Sequence, residues 1–145
     1  FYVTFLPNKL GGATFYLTGL RDSDGKMLNG KDTYKLNVPA DVPAKDFWSA
    51  IVYNMETKNF NRGVYRVGAS TKDLDKMVKN ADGSVDIYYA PNLDEVPKGF
   101  EANWVTTESA TNANDWFFLF RLYRPATEDW FKTWMLNDVE NISGE

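Results

Sequence analysis

The sequence has 145 residues, a size typical of one domain, and its 43% hydrophobic and 25% charged residues are ordinary for a globular protein. The net charge of −4 gives no basic footprint, which argues against binding of nucleic acid or anionic membranes. The absence of cysteine and histidine excludes Cys/His zinc sites, thiol nucleophiles and Ser-His-Asp triads built within this chain.

Turn signals and short apolar segments alternate along the first half of the chain. Asp-Gly pairs at 24–25 and 82–83 and Asn-Gly at 29–30 are typical of tight turns between strands. Between the turns, the residue types predict strands over 14–20, 33–38 and 47–55.

The second half continues this pattern and contains the clearest strand. Residues 64–67 and 84–90 are predicted strands, and 115–124 is a strand with two apolar faces, which favours a central position. Residues 71–77 and 127–134 are the two segments with helical signals. The longest apolar run is strand-sized, so no membrane span is predicted. The pattern predicts one all-β domain over residues 1–145, an antiparallel jelly-roll-like β-sandwich with one or two short helices.

Two pairs of residues are candidate ligand-binding groups. Arg121 and Tyr123 share a strand face, and a guanidinium beside a phenol suits an anionic or hydroxyl-rich ligand. The alternative is a partly buried arginine paired with a carboxylate. Asn103 and Trp104 follow a Pro/Gly loop, where an amide and an indole suit carbohydrate recognition, or else anchor the loop to the core.

Acidic residues give weaker signals. Glu101, Glu108 and Asp115 lie in or beside loops and are candidates for a carboxylate pair of the kind that glycoside hydrolysis needs, although solvated surface acids are the simpler interpretation. The Asp-Gly turn after Asn80 matches a calcium loop only in part, because two of the required oxygen ligands are missing. No metal site and no cofactor are predicted.

Several motifs occur together in one order: LNG at 28–30, TYKL at 33–36, PAKDFWS at 43–49, NADGSVDIY at 80–88, NW at 103–104 and FRLY at 120–123. In this the sequence resembles domain-of-unknown-function family 1214, over about Leu20 to Ile142. The resemblance implies a jelly-roll sandwich, a periplasmic or cell-envelope setting with a cytoplasmic one left open, and a second domain, family 1254, on the N-terminal side. It implies no reaction and no catalytic residues.

The chain departs from the family at one loop, where LYGP is usual and Leu122 is followed by Tyr123, Arg124 and Pro125. We therefore expect that the special backbone angles of a glycine are not needed there. Because the sequence begins at Phe1 and shows no signal peptide, we also expect a processed piece or fragment of a longer two-domain protein.

The leading functional hypothesis is a binding or assembly module of an exported protein. Its partners would be an N-terminal domain or chain, a second copy of itself in a homo-oligomer, or a small-molecule or carbohydrate ligand. The alternatives are a carboxylate-dependent hydrolase of sugar-like substrates, completed by the absent domain, and a purely structural or oligomerisation domain. Whether the chain is an enzyme stays open at this stage.

Overall fold

The structure is a computed structural model that describes residues 2–5, 14–60, 66–108, 115–127 and 129–144. Its strands are β1 (Tyr2–Phe5), β2 (Thr14–Gly19), β3 (Tyr34–Val38), β4 (Ala44–Asn54), β5 (Gly68–Ser70), β6 (Val85–Ala90), β7 (Trp104–Thr106), β8 (Trp116–Pro125) and β9 (Val139–Asn141). Short 3-10 turns lie at Thr71–Asp73, Leu93–Glu95, Glu101–Asn103 and Trp130–Lys132.

The larger sheet has five antiparallel strands in the order β1-β2-β8-β4-β5. Strand β8 pairs with β2 on one side and with β4 on the other, as its two apolar faces predicted. Opposite Arg121 lie Tyr16 on β2 and Ser49 on β4. This register brings side chains from three strands together on each face of the sheet.

The smaller sheet has the strand order β7-β6-β3-β9, and one of its pairs corrects the antiparallel prediction. Strands β6 and β7 are parallel, with Tyr88 beside Trp104. The connection over residues 91–103 is long enough to return the chain in the same direction, which parallel pairing requires. The predicted all-β sandwich is confirmed, and the jelly-roll connectivity stays a prediction.

The core lies between the two sheets and is filled by alternate residues of each strand. On β8 the inward residues Trp116, Phe118, Phe120 and Leu122 are almost fully buried. Trp48 also belongs to the core, whereas Tyr53, at an odd spacing from it on the same strand, is not part of that cluster. The outward residues of β8 are only partly buried.

The predicted helices and the shorter strands differ from the sequence-based expectation. In the described parts of 71–77 and 127–134, the structure has three-residue 3-10 turns at Thr71–Asp73 and Trp130–Lys132 in place of the predicted helices. Of the predicted strand 64–67, residues 64 and 65 lie outside the described residues and residues 66 and 67 are not in a strand. The strand that pairs with β4 there is Gly68–Ser70. Strands β7 and β9, three residues each, were not predicted.

The expectation for the loop after Tyr123 was wrong. Arg124 has a φ of +50°, the left-handed conformation that glycine adopts at low cost. Two residues of β4, Lys45 and Asp46, lie opposite this position, so the sheet carries a bulge here. The chain needs the special backbone angles and takes them with an arginine.

The two Asp-Gly turns are closed by side-chain hydrogen bonds. Asp22 Oδ1 accepts from the backbone N–H of Lys26 at 2.8 Å, and Asp82 Oδ1 accepts from that of Ser84 at 2.9 Å. Among the described residues, no group of three or more acidic side chains is placed to hold a metal ion. Within the same ranges, no helix is both long enough and apolar enough to cross a membrane.

Candidate functional site

Arg121 lies near the centre of the outer face of the five-stranded sheet. Strand alternation sends its side chain away from the core, together with those of Phe117, Leu119 and Tyr123. On strand β2, the neighbour of Arg121 on this face is Tyr16. On strand β4, every second residue lies on the same face: Phe47, Ser49, Ile51 and Tyr53. We call this surface the aromatic face.

The Arg121 guanidinium contacts phenols and no carboxylate. Its Nη2 donates to Tyr53 Oη, its Nη1 donates to Tyr123 Oη at 3.4 Å, and its Cζ lies 5.2 Å from the centroid of the Tyr16 ring. Among the described residues it forms no ion pair, so the predicted alternative of a local carboxylate partner is not found there. Burial acts to lower the pKa of Arg121, but the hydrogen bond to Tyr123 and the surrounding phenols outweigh it and raise that pKa.

Two neighbouring polar atoms on the aromatic face lack hydrogen-bond partners. Arg121 Nε and the Oγ of Ser49, its cross-strand neighbour, are both buried and unpartnered within the described ranges. Buried polar atoms are normally paired, since leaving one unpaired costs about 1–3 kcal/mol. In the described part of the chain, the fold therefore leaves the hydrogen bonding of these two atoms incomplete.

Aromatic rings and cations surround this pair. Tyr123 stacks on Phe47 with ring centroids 3.9 Å apart, and Tyr53 stacks on Phe117 at 5.3 Å. The ammonium group of Lys72 lies 5.6 Å from the centroid of the Phe47 ring. Stacked rings present rigid apolar area at low entropic cost, and the cations add a positive field.

A groove of about 260 Å³ lies along β4 and β5 beside the aromatic face. Its lining includes Phe47, Ser49, Ile51, Ser70, Lys72, Asp73 and Tyr123. Asp73 is engaged already, because its Oδ1 lies 3.2 Å from Arg66 Nη2 and its Oδ2 accepts from Ser70. Burial acts to raise the pKa of Asp73, but the hydrogen bonds from Ser70 and the Arg66 charge lower it overall. The groove thus offers a largely apolar wall and the ammonium group of Lys72 to a ligand.

Asn103 has a different environment. It is fully buried, its Oδ1 accepts from the backbone N–H of Val78, and its Nδ2 donates to the carbonyls of Val78 and Asp86, all at 2.8 Å. Both amide protons are used, so the amide has no donor left for a ligand. This geometry supports the alternative interpretation of Asn103 as an anchor of the loop.

Trp104 also serves the fold. Its Nε1 donates to the carbonyl of Ala90 at 3.0 Å, and its ring packs with Phe100 against the cluster around Tyr88. This cluster lies on the outer side of the four-stranded sheet, because Tyr88 alternates with Ile87 and Tyr89, which belong to the core between the sheets. Trp104 and Arg121 therefore lie on opposite outer faces of the sandwich, and the four predicted residues do not form one site.

The candidate acids are exposed. Both carboxylate oxygens of Glu101 accept from the backbone N–H of Gly99, which lowers the pKa of Glu101. A general acid at neutral pH needs a raised pKa, whereas the pKa of Glu101 is lowered, which disfavours this role for Glu101. Glu108 and Asp115 are likewise on the exposed surface.

Sequence reasoning missed three contributors to the aromatic face: Tyr16, Phe47 and Ser49. The alternation of residues 47, 49, 51 and 53 on one strand contained the signal for two of them. The register that puts Ser49 and Tyr16 on either side of Arg121 depends on pairing between strands that are distant in the sequence, so no local pattern predicts it.

Comparisons with known proteins agree with the fold. A family model described as "Protein of unknown function (DUF1214)" matches residues 13–127. The VPA0106 protein of Vibrio parahaemolyticus superposes with a TM-score of 0.70 at 19% identity, over 92% of this chain and 31% of its own. A putative uncharacterized protein of Burkholderia cenocepacia gives 0.54 at 16% identity, over 90% and 29%. No curated protein matches the sequence.

Proposed function

Because this chain belongs to the DUF1214 family, whose members are described only as proteins of unknown function, we propose from its geometry that it is a binding and assembly module. The aromatic face is the docking surface, and the occupant is a second folded domain that presents a carboxylate to Arg121. The observation that carries this proposal is the pair of unpartnered buried polar atoms on Arg121 and Ser49. A carboxylate supplies acceptors for both.

The charges and rings around Arg121 support this occupant. Arg121 lies near the ring faces of Tyr16 and Tyr53, and Lys72 lies over Phe47. Aromatic and arginine side chains dominate the energetics of protein interfaces, especially where they are partly desolvated before binding. An acidic partner surface would match this arrangement and would be steered towards it.

The length of the relatives supports a second domain as the occupant. The chain spans about a third of each of the two solved proteins that it matches. A domain within a longer polypeptide commonly buries one face against its neighbour. We propose that the neighbour is an N-terminal domain or chain, and that the assembled protein resides in the cell envelope; fractionation of the host tests the location.

Photo-crosslinking tests the docking surface. A benzophenone amino acid at Phe47 reports contacts of the aromatic face, and the same group at Leu93, an exposed residue beside the other sheet, is the control. We expect a single polypeptide to crosslink at position 47 in the native host and none at position 93. Arg121→Met should weaken this capture at least about tenfold, whereas Arg124→Met, on the same strand, should not change it. Equal capture from both positions, or capture unaffected by Arg121→Met, would contradict the proposal.

Native and denaturing mass spectrometry separates a protein partner from a small ligand. A second chain or copy in the native species supports assembly. A mass below about 1 kDa that is lost on denaturation would instead indicate a small molecule on the arginine, in the usual size range of ligand pockets. The hydrolase alternative has no support from Glu101, whose pKa is lowered. Activity on a broad panel of polysaccharides would restore that alternative.

A further inference from the structure

A second cavity lies where the C-terminal segment crosses strand β2. Its volume is about 410 Å³, within the range of small-molecule sites, and it shares no lining residue with the groove beside β5. The lining consists of Leu17, Trp130, Phe131, Trp134, Met135, Leu136, Asn137 and Asp138. We call it the tryptophan pocket.

The two tryptophans form the deep wall of this pocket. Their rings lie 6.0 Å apart at an angle of 55°, and both rings are buried. Phe15 packs edge-on against Trp130 at 5.4 Å, and Phe120 lies 6.2 Å from Trp134. The position of this wall is therefore set by packing against core residues.

The indole N–H groups of Trp130 and Trp134 are unusual, because both are buried and neither has a hydrogen-bond partner in the part of the chain that the structure describes. Two other tryptophans show the normal arrangement: Trp104 donates to Ala90 and Trp116 donates to Asn29, through backbone carbonyls at 3.0 Å and 2.8 Å. Buried tryptophans usually find such a partner. Both unpartnered donors thus belong to tryptophans that line the same pocket.

The rim of the pocket defines the rest of the ligand. Met135 is 84% exposed and Phe131 is 50% exposed, so apolar area borders the opening. Asp138 also lines the pocket and would repel an anion. The ligand that fits is uncharged, with an apolar ring or chain and one or two acceptor oxygens.

We propose that the tryptophan pocket binds a neutral apolar molecule through a carbonyl or ether oxygen that accepts from the indoles of Trp130 and Trp134. This site is independent of the aromatic face and of the assembly proposed there. Binding in this pocket requires only the two indole N–H donors and the apolar lining, and this chain supplies both.

The test compares two probes of similar shape, acetophenone and ethylbenzene, by NMR of the ¹⁵N-labelled indoles. Acetophenone carries a carbonyl acceptor and ethylbenzene has none. We expect acetophenone to shift the indole signals of Trp130 and Trp134 and to bind about three- to tenfold more tightly, as one added hydrogen bond allows. The signals of Trp104 and Trp116 should not move, because their N–H groups are already bonded.

Single variants then assign the effect. Trp130→Phe or Trp134→Phe keeps an aromatic ring and removes one donor, so at least one of them should abolish the preference for acetophenone. Trp104→Phe is the matched control and should keep it. Equal affinity for the two probes in the wild-type protein would overturn the proposal without any variant. So would an unchanged preference in both Trp130→Phe and Trp134→Phe, and so would a failure of acetophenone to shift the two signals.

Discussion

Asn103 and Arg121 are both polar residues beside apolar neighbours, yet the structure treats them in opposite ways. The Asn103 amide is fully buried and uses both protons and its oxygen on backbone groups. The Arg121 guanidinium has phenols around it, an unpartnered Nε and no carboxylate among the described residues. In the described part of the chain, the fold completes the hydrogen bonding of Asn103 and leaves that of Arg121 incomplete.

The largest expected effect is that of replacing Asn103, whose hydrogen bonding is complete within the fold. Asn103→Ala removes three hydrogen bonds and leaves buried backbone groups of Val78 and Asp86 unpaired, so we expect a loss of about 3 kcal/mol in the free energy of unfolding. Urea unfolding measures it. Asn92→Ala, which removes one exposed hydrogen bond to Glu95, should cost less than about 0.5 kcal/mol. Similar losses in the two variants would mean that Asn103 is not the anchor described.

The second prediction concerns the cost in stability of an unpaired hydroxyl inside the core, that of Tyr89. In the part of the chain that the structure describes, the Tyr89 hydroxyl is buried in the core with no hydrogen-bond partner, and burial raises the pKa of Tyr89. We expect Tyr89→Phe to stabilise the protein by about 1 kcal/mol at neutral pH, measured by thermal and urea unfolding. A clear destabilisation would show that this hydroxyl has a partner after all.

The same variant has a signature at alkaline pH. The pKa of Tyr89 is raised in the folded state, so the folded protein keeps this proton at pH values at which the unfolded chain loses it. The contribution of the protonated hydroxyl to the free energy of unfolding is therefore fully present below the unfolded pKa of about 10 and is lost as pH rises further. We therefore expect wild-type stability to fall above pH ~10 by up to about 1.4 kcal/mol per pH unit from this residue, and Tyr89→Phe to fall less steeply. Parallel curves for the two proteins would contradict this linkage.

Arg124 lies three residues after Arg121 on strand β8 and is a third polar residue to set beside Asn103 and Arg121. It does have a carboxylate partner, Asp46, at 2.5 Å, but the pair is exposed and the backbone is left-handed. Such a pair is worth little, whereas the conformation costs a residue with a Cβ atom about 1–2 kcal/mol. We expect Arg124→Gly to raise the free energy of unfolding by about 1 kcal/mol. Loss of stability in Arg124→Gly would show that the ion pair matters more than the backbone.

The smallest expected effect on stability belongs to Arg121. Replacing a partly buried charge that lacks a carboxylate with an apolar side chain of similar length is often neutral, so Arg121→Met should change the free energy of unfolding by less than about 1 kcal/mol. Urea unfolding checks this. A loss above about 2 kcal/mol would place Arg121 on the structural side of the comparison, together with Asn103.

Local patterns in the sequence predicted the all-β class, the central position of β8 and most of the longer strands. The three-residue strands β5, β7 and β9 escaped prediction because pairing with longer neighbours, rather than propensity, holds them. The parallel pair β6–β7 and the left-handed Arg124 escaped for related reasons, since both are set by long-range connections. Alternation predicted that Arg121 and Tyr123 share a face, but the presence of Ser49 and Tyr16 beside them depends on register between strands distant in sequence.

Strand β8 has a consequence for how this sequence can change over generations. Its even-numbered residues from Trp116 to Leu122 fill the core, and its odd-numbered residues from Phe117 to Tyr123 form the aromatic face. Adjacent residues of one strand therefore have separate structural duties, and a substitution at an odd position changes the outer surface without opening a cavity in the core. If the aromatic face is the docking surface proposed above, its specificity can change at the odd positions while the even positions keep the protein folded.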